Sequence, residues 1–227
     1  DLLAELDERQ RSVGDYKALV FIDQKRKGES DLVYEAVVYR RDASDKQVIM
    51  FLKPKSEAGK GYLRLERNLF LFDPSVGKWE RRTERESIGG TNSQRRDFAA
   101  SSFSADYAPV YMGQEKLGKF SVHHMKLEVK EGRDVPYPTL ELWVDTDSKN
   151  LLKVQEFALS GRLMRTSYYP KWAAVEGKGK TVYFPKQIRI FDEVEKDNKT
   201  TIVTRKVDLD DLPDSIFTKA WVESKSR

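Results

Sequence analysis

Leu2, Leu3 and Leu6 recur among acidic and basic neighbours at a spacing that puts them on one side of a short amphipathic helix, with Val13 beyond it and an end near Gly14. The period then changes. Extended runs bounded by turn residues occupy 15–25, 31–41, 47–53, 61–66, 68–73, 78–83, 119–130, 138–145, 151–159, 162–170, 181–191 and 200–207, which predicts about a dozen strands. The turns between them, such as Asp73-Pro74-Ser75-Val76-Gly77 and Ser160-Gly161, are too short for the helical crossovers of a parallel sheet. The sheet is therefore expected to be antiparallel and meandering. Between Ser87 and Pro109 a Gly-Gly and Asn/Ser-rich stretch leads into Asp97-Phe98-Ala99-Ala100 and Phe103-Ser104-Ala105-Asp106-Tyr107, which suits one or two short helices over the sheet. With no repeat, low-complexity tract or linker, residues 1–227 read as a single domain.

Parity along the strands says what covers them. Ala18, Val20 and Ile22 alternate with Leu19 and Phe21, and Ile49 and Phe51 with Val48, Met50 and Leu52, so these strands are apolar on both faces. Leu140, Leu142 and Val144 alternate with Thr139, Glu141 and Asp145, Trp143 excepted, so that strand meets water on one face. Together they predict a mainly β (α+β) chain with a strongly curved sheet, one face enclosing an apolar interior. Candidates for the wall of that interior are Met50, Leu52, Leu69, Leu71, Trp79, Met125, Leu127, Leu140, Leu142, Tyr168 and Trp172. Methionine adapts to flexible guests, and tryptophan and tyrosine suit a rim with one wet edge. A one-residue change of register puts Phe51, Phe70, Phe72 and Trp143 in place of their neighbours. Phe98, Phe103 and Tyr107 are candidates for the inner face of a lid, or for helices permanently docked on the sheet. An interior filled by its own side chains is a plain core, and a hollow one accepts a guest; parity does not choose between them.

Composition narrows the chemistry. The 227 residues are 39% hydrophobic and 34% charged, enough for a sizeable core. The 41 basic and 37 acidic residues leave +4, and they are interspersed, as in Glu80-Arg81-Arg82-Thr83-Glu84-Arg85-Glu86, which argues against a nucleic-acid stripe. Arg81, Arg82, Arg85, Arg95 and Arg96 gather near the lid segment. Of these, Arg95 and Arg96 are candidates to meet anionic headgroups or an acidic partner, against a solvated hairpin balanced by Glu80, Glu84 and Glu86. Absence of cysteine excludes disulfides, thiolate metal sites and thiol nucleophiles. No apolar run approaches the roughly 20 residues of a membrane-spanning helix. The start at Asp1 without a basic and apolar leader carries the expectation of a removed signal segment.

Signals of catalysis and metal binding are poor. His123 and His124 are adjacent on a strand and point to opposite faces, which prevents joint ligation of a metal. Asp145-Thr146-Asp147-Ser148-Lys149 with Glu156 downstream mimics a calcium loop, but Lys149 holds a ligand position and Asn150 replaces the needed glycine. Gly177-Lys178-Gly179-Lys180-Thr181 is similar to a phosphate loop, yet the leading glycine is missing and a strand follows, so a hairpin tip is expected. There is no Gly-x-Ser-x-Gly elbow. No enzyme, metal or cofactor is expected.

The run Gly61-Tyr62-Leu63-Arg64, then Asn68-Leu69-Phe70-Leu71-Phe72-Asp73-Pro74 with Trp79, and the segment Ser93 to Tyr107 come in a telling order. They are followed by Leu140-Glu141-Leu142-Trp143-Val144-Asp145, Leu151-Leu152-Lys153-Val154, Gly161-Arg162-Leu163-Met164-Arg165 and Leu212-Pro213-Asp214-Ser215-Ile216-Phe217-Thr218. This succession, from about Tyr34 to Glu223, resembles the LolA-like outer-membrane lipoprotein-sorting family, with Phe70 where that family usually has tryptophan. The resemblance implies an incomplete antiparallel barrel of about 11 to 12 strands, closed by an N-terminal helix and short lid helices. It also implies a non-enzymatic, monomeric carrier that holds a lipid or the acyl chains of a lipoprotein in its cavity. The expected place is the periplasm or cell envelope, with lipid anchoring and inner- or outer-membrane protein partners left open. The alternative is an envelope binding or sensor module with a filled cavity that recognises a protein. A hydrolase of envelope lipids would require a polar constellation inside.

Overall fold

A computed structural model describes residues 1–226. Helix α1 (Leu2–Gln10) leads into β1 (Asp15–Lys25), β2 (Leu32–Arg41), β3 (Lys46–Lys53), β4 (Gly61–Leu65), β5 (Asn68–Asp73) and β6 (Lys78–Arg82). After a short 3-10 turn at Arg95–Phe98 and helix α2 (Phe103–Asp106) come β7 (Tyr107–Leu117), β8 (Phe120–Val129), β9 (Thr139–Asp145) and β10 (Leu151–Phe157). The chain ends with β11 (Leu163–Gly177), β12 (Lys180–Asp192), β13 (Lys199–Asp208) and helix α3 (Lys219–Lys225).

All thirteen strands join one sheet, in the order β6-β5-β4-β3-β2-β1-β13-β12-β11-β10-β9-β8-β7. Every pairing is antiparallel. The chain starts mid-sheet, meanders to the β6 edge, jumps to the β7 edge and meanders back until β13 lies beside β1. The edges β6 and β7 do not pair, so the barrel stays open. That one jump must cross the mouth of the curved sheet, so residues 83–106, including the segment expected to form a lid, lie between the two edges.

The sequence reading missed β7 and α3. Pro109 removes a ladder donor and Gly113, at φ +122°, sits in a bulge between Tyr111 and Gly113, features that demote a strand in sequence and suit an edge in structure. Strands β11 and β12 also run further than 162–170 and 181–191, meeting at a tight tip where Lys178 and Gly179 have φ of +50° and +73°. Helix α1 ends at Gln10, earlier than Gly14.

Three larger apolar clusters and a small one of Tyr16, Ala18, Val182 and Leu209 pack on the sheet. On the inner face of one half, Val20, Ile22, Ala36, Ile49, Phe51, Leu69, Leu71 and Ile190 pack beneath Ile88 and Phe98. On the inner face of the other half, Leu3 and Leu6 of α1 lie over Tyr107, Met125, Leu127, Leu140, Leu142, Leu151 and Val154. Tyr169 packs against both. Outside the first half, Val48, Met50, Leu63 and Phe72 are covered by Ile216, Phe217 and Val222. The C-terminal segment thus explains why β3 is apolar on both faces.

Candidate functional site

Between the inner face and the lid segment lies a cavity of about 490 Å³, bordered by the loop Gly132–Pro136 and by the turns after β2 and β4. Its two ends differ in chemistry. At one end Phe103, Tyr107, Leu151 and Val154 present apolar surface continuous with the cluster under α1. Burial pushes the Tyr107 hydroxyl well above the usual phenol range, and it donates to the Tyr137 carbonyl at 2.9 Å.

The other end is polar. Glu84 takes Arg95 Nε at 2.6 Å on one oxygen and Arg64 Nη1 on the other. Arg64 also donates to Asp45 at 2.6 Å, and Arg95 Nη1 to Gln47 Oε1 at 3.2 Å. The Gln47 amide in turn donates to the Phe98 carbonyl at 2.9 Å, fixing the lid segment to β3. Burial holds Arg95 below the ordinary guanidinium range; Glu84 opposes this and the neighbouring Arg64 charge adds to it.

Between the ends, Glu156 is only 3% exposed. Arg165 Nη1 donates to it at 2.9 Å and reaches Asp97 of the lid segment with Nη2. Arg96 contacts the other Glu156 oxygen without hydrogen-bond alignment, while its Nε donates to Gln94 Oε1 at 2.8 Å. Burial alone would raise the Glu156 carboxyl, but the charges of Arg96 and Arg165 bring it below its ordinary value. The lid is held from α1 as well: Asp7 accepts the N–H groups of Phe103 and Ser104, and Gln10 donates to Ser101 Oγ at 3.0 Å.

None of the eleven wall candidates lines this cavity. Leu69 and Leu71 belong to the first inner cluster, and Met125, Leu127, Leu140 and Leu142 lie beneath α1 in the second. Met50 is corrected to the outer face: it pairs with Gly61, Gly61 with Phe72 and Phe72 with Trp79, one stripe under α3. Trp79 packs on Phe72 at 5.2 Å and donates to Glu223 at 2.6 Å. Leu52 is 45% exposed. Tyr168 also points outward, paired with Lys153 and edge-on to Phe191 at 5.8 Å. Trp172 donates to the Leu151 carbonyl at 2.8 Å and stacks on Tyr169. Of the residues that a change of register would offer, Phe51 of β3 takes the inner face, packed in the first cluster, while Phe70 and Phe72 of β5 and Trp143 of β9 take the outer one.

Of the lid candidates, Phe103 and Tyr107 face the cavity, although Tyr107 opens β7 and is not helical. Phe98 seals the first cluster. Arg95 and Arg96 both line the cavity and are largely buried, whereas Arg81 and Arg82 stay on the β6 hairpin with Asn68, Glu80 and Glu86. Sequence reasoning passed over Arg64 and Glu156. Their signal was present: Arg64 shares the inward parity of Tyr62, and Glu156 that of Val154, so each interrupts an apolar face.

The remaining motifs are structural. His123 bonds Tyr111 at 3.1 Å, while His124 stacks on Trp143 at 4.5 Å on the other face. Asp145 accepts the Ser148 N–H at 3.0 Å in a turn. Among the described residues no histidine lines the cavity.

A family model described as "Uncharacterized protein" matches residues 43–224. No curated protein sequence matches the chain. Among solved structures, a LolA superfamily protein from Nitrosomonas europaea superposes with a TM-score of 0.82 at 25% identity, over 97% of each chain. The chain belongs to the family of that model, and its fold is that of the LolA superfamily. A DUF1329 family protein from Desulfovibrio piger matches the LolA-like fold with a TM-score of 0.86 at 18% identity, covering 98% of this chain and 96% of that one. An outer membrane lipoprotein-sorting protein domain from Vibrio parahaemolyticus gives 0.83 at 16% identity, covering 98% and 97%. The open antiparallel sheet with three helices is the LolA-like arrangement.

Proposed function

We propose that this LolA-like chain is a single-unit, non-enzymatic carrier of the bacterial cell envelope that shelters acyl chains of a lipid or lipoprotein in its cavity. The observation that carries this reading is the roofed space of about 490 Å³ whose apolar end is formed by Phe103, Tyr107, Leu151 and Val154. That volume falls in the range of small-molecule sites, about 300–1,000 Å³. Each CH₂ drawn from water into such surface contributes about 0.8 kcal/mol, so an acyl chain is the guest that gains most from it. Phe103 and Tyr107 serve as the inner face of the lid. The sorting domain with the same fold supports a periplasmic or envelope setting.

Native mass spectrometry and lipid extraction of protein purified from a bacterial envelope test this. Co-purified acyl species, exchanged by an added fatty acid, are expected; an empty protein that takes up none overturns the proposal.

A second reading has its own observation. Val110, Tyr111 and Met112 on the edge strand β7 are each more than half exposed, a surface that suits recognition of a protein partner by a module that carries nothing.

A further inference from the structure

The polar end of the cavity carries more positive charge than its own carboxylates answer. Arg64 and Arg95 share Glu84, and among the described residues Asp45 is the only other carboxylate that pairs with either. Arg67 lines the same end and, among the described residues, forms no ion pair. Arg64, Arg67 and Arg95 there face two carboxylates, Asp45 and Glu84, the neighbouring Arg40–Asp42 pair being balanced, and Asp45 is itself mostly solvated. Among the described residues, Arg64 Nε is buried with no hydrogen-bond partner. A buried guanidinium group with an idle donor costs free energy that an anion would recover. By contrast, the Arg96–Glu156–Arg165–Asp97 group next to it is balanced, two charges against two. Surplus charge therefore sits at one end of the cavity and apolar surface at the other.

We propose that the cavity takes an anionic single-chain amphiphile, its phosphate or carboxylate group on Arg64, Arg67 and Arg95 and its chain along Phe103, Tyr107, Leu151 and Val154. This rests on the carrier reading and names its substrate class. Gln47 helps aim Arg95, because its carbonyl oxygen accepts Nη1 while its amide is tied to the lid backbone.

Calorimetric titration of the full chain with three probes tests it: myristoyl lysophosphatidic acid, 1-monomyristoylglycerol and inorganic phosphate. The lysophosphatidic acid is expected to bind about tenfold or more tightly than the uncharged glyceride, as a charge-assisted hydrogen bond would give. Inorganic phosphate alone is expected to bind far more weakly. In Arg67→Gln, at an exposed position, and in Arg95→Gln, the ratio of lysophosphatidic acid affinity to glyceride affinity should fall. Equal affinity for the two lipids, or a preference that survives both substitutions, overturns the charged-head inference and leaves the carrier reading intact. Inorganic phosphate binding as tightly as the lysophosphatidic acid makes the site one for a free anion and also overturns it. Failure of both lipids to bind overturns the carrier reading itself.

Discussion

The carboxylate of Asp7 accepts the backbone N–H of Ser104 at 2.7 Å, so the first helix of the chain caps the start of the second. Phe103 N–H joins the same carboxylate at 3.1 Å, which gives two of the orphan donors at the start of α2 a partner from elsewhere in the fold. Asp7→Ala is expected to lower stability by about 1–2 kcal/mol, the usual cost of a lost cap with unsatisfied donors. Urea denaturation gives the loss, and hydrogen exchange should show the amides of Phe103 and Ser104 exposed faster than those of the strands. Unchanged exchange there would mean that α1 does not hold the lid.

Glu156 stands between two guanidinium groups, and removing its charge leaves them buried together. Glu156→Gln should cost about 3–5 kcal/mol at neutral pH, as breaking a buried ion pair does. The sign with pH follows from its lowered carboxyl: the ordinary value is 4.5 and the folded one lies below it. Stability from this group is complete above the unfolded value and lost as pH falls through the folded one. Melting temperature should therefore drop below pH 4.5 in the wild type and fall less steeply over that acid range in Glu156→Gln. Parallel curves would assign the acid loss to other carboxylates.

Leu127 is fully buried beneath α1 and does not touch the cavity. Leu127→Ala should cost about 2–5 kcal/mol in chemical denaturation, the range of buried leucines. Guest affinity measured well below the melting temperature should be unchanged. A large fall in affinity would return this residue to the binding wall.

Gly61 admits α3. A Cβ there would lie 2.5 Å from Val222 Cγ1 and 2.8 Å from the Met50 sulfur, so the short, branched and fully buried Val222 must shift. Gly61→Ala should destabilise by about 1–3 kcal/mol and loosen Trp221, read by its fluorescence. Combined with Val222→Ala, the loss should be smaller than the sum of the two single losses, because both act on one contact. Strict additivity would contradict the packing.

The sheet was legible in sequence because period-two alternation and short turns were strong: the boundaries of β1, β3, β5 and β9 fall within a residue of those expected. Face assignment was not. Met50 and Leu69 were given the same side from local pattern alone, yet β4 sets their relative parity through pairings that only the folded register fixes. The cover provided by α3 also hid which of two apolar faces of β3 was the inner one. Apolar pattern alone points away from the cavity, since most of the wall candidates are packed inside the separate core clusters. The groups that line it include Arg64 and Glu156, charged residues at inward positions that a search for hydrophobic surface discards.

The unjoined edges β6 and β7 have a consequence for capacity. A closed barrel has its bore set by strand number and stagger, and cannot dilate without tearing its ladder. Here the gap is spanned by loop contacts, such as Arg85 donating to the Val135 carbonyl at 3.2 Å, which break at small cost. On the carrier reading, that slit is where the vessel widens for a bulkier guest or narrows for a slimmer one while every rung between its strands stays in place.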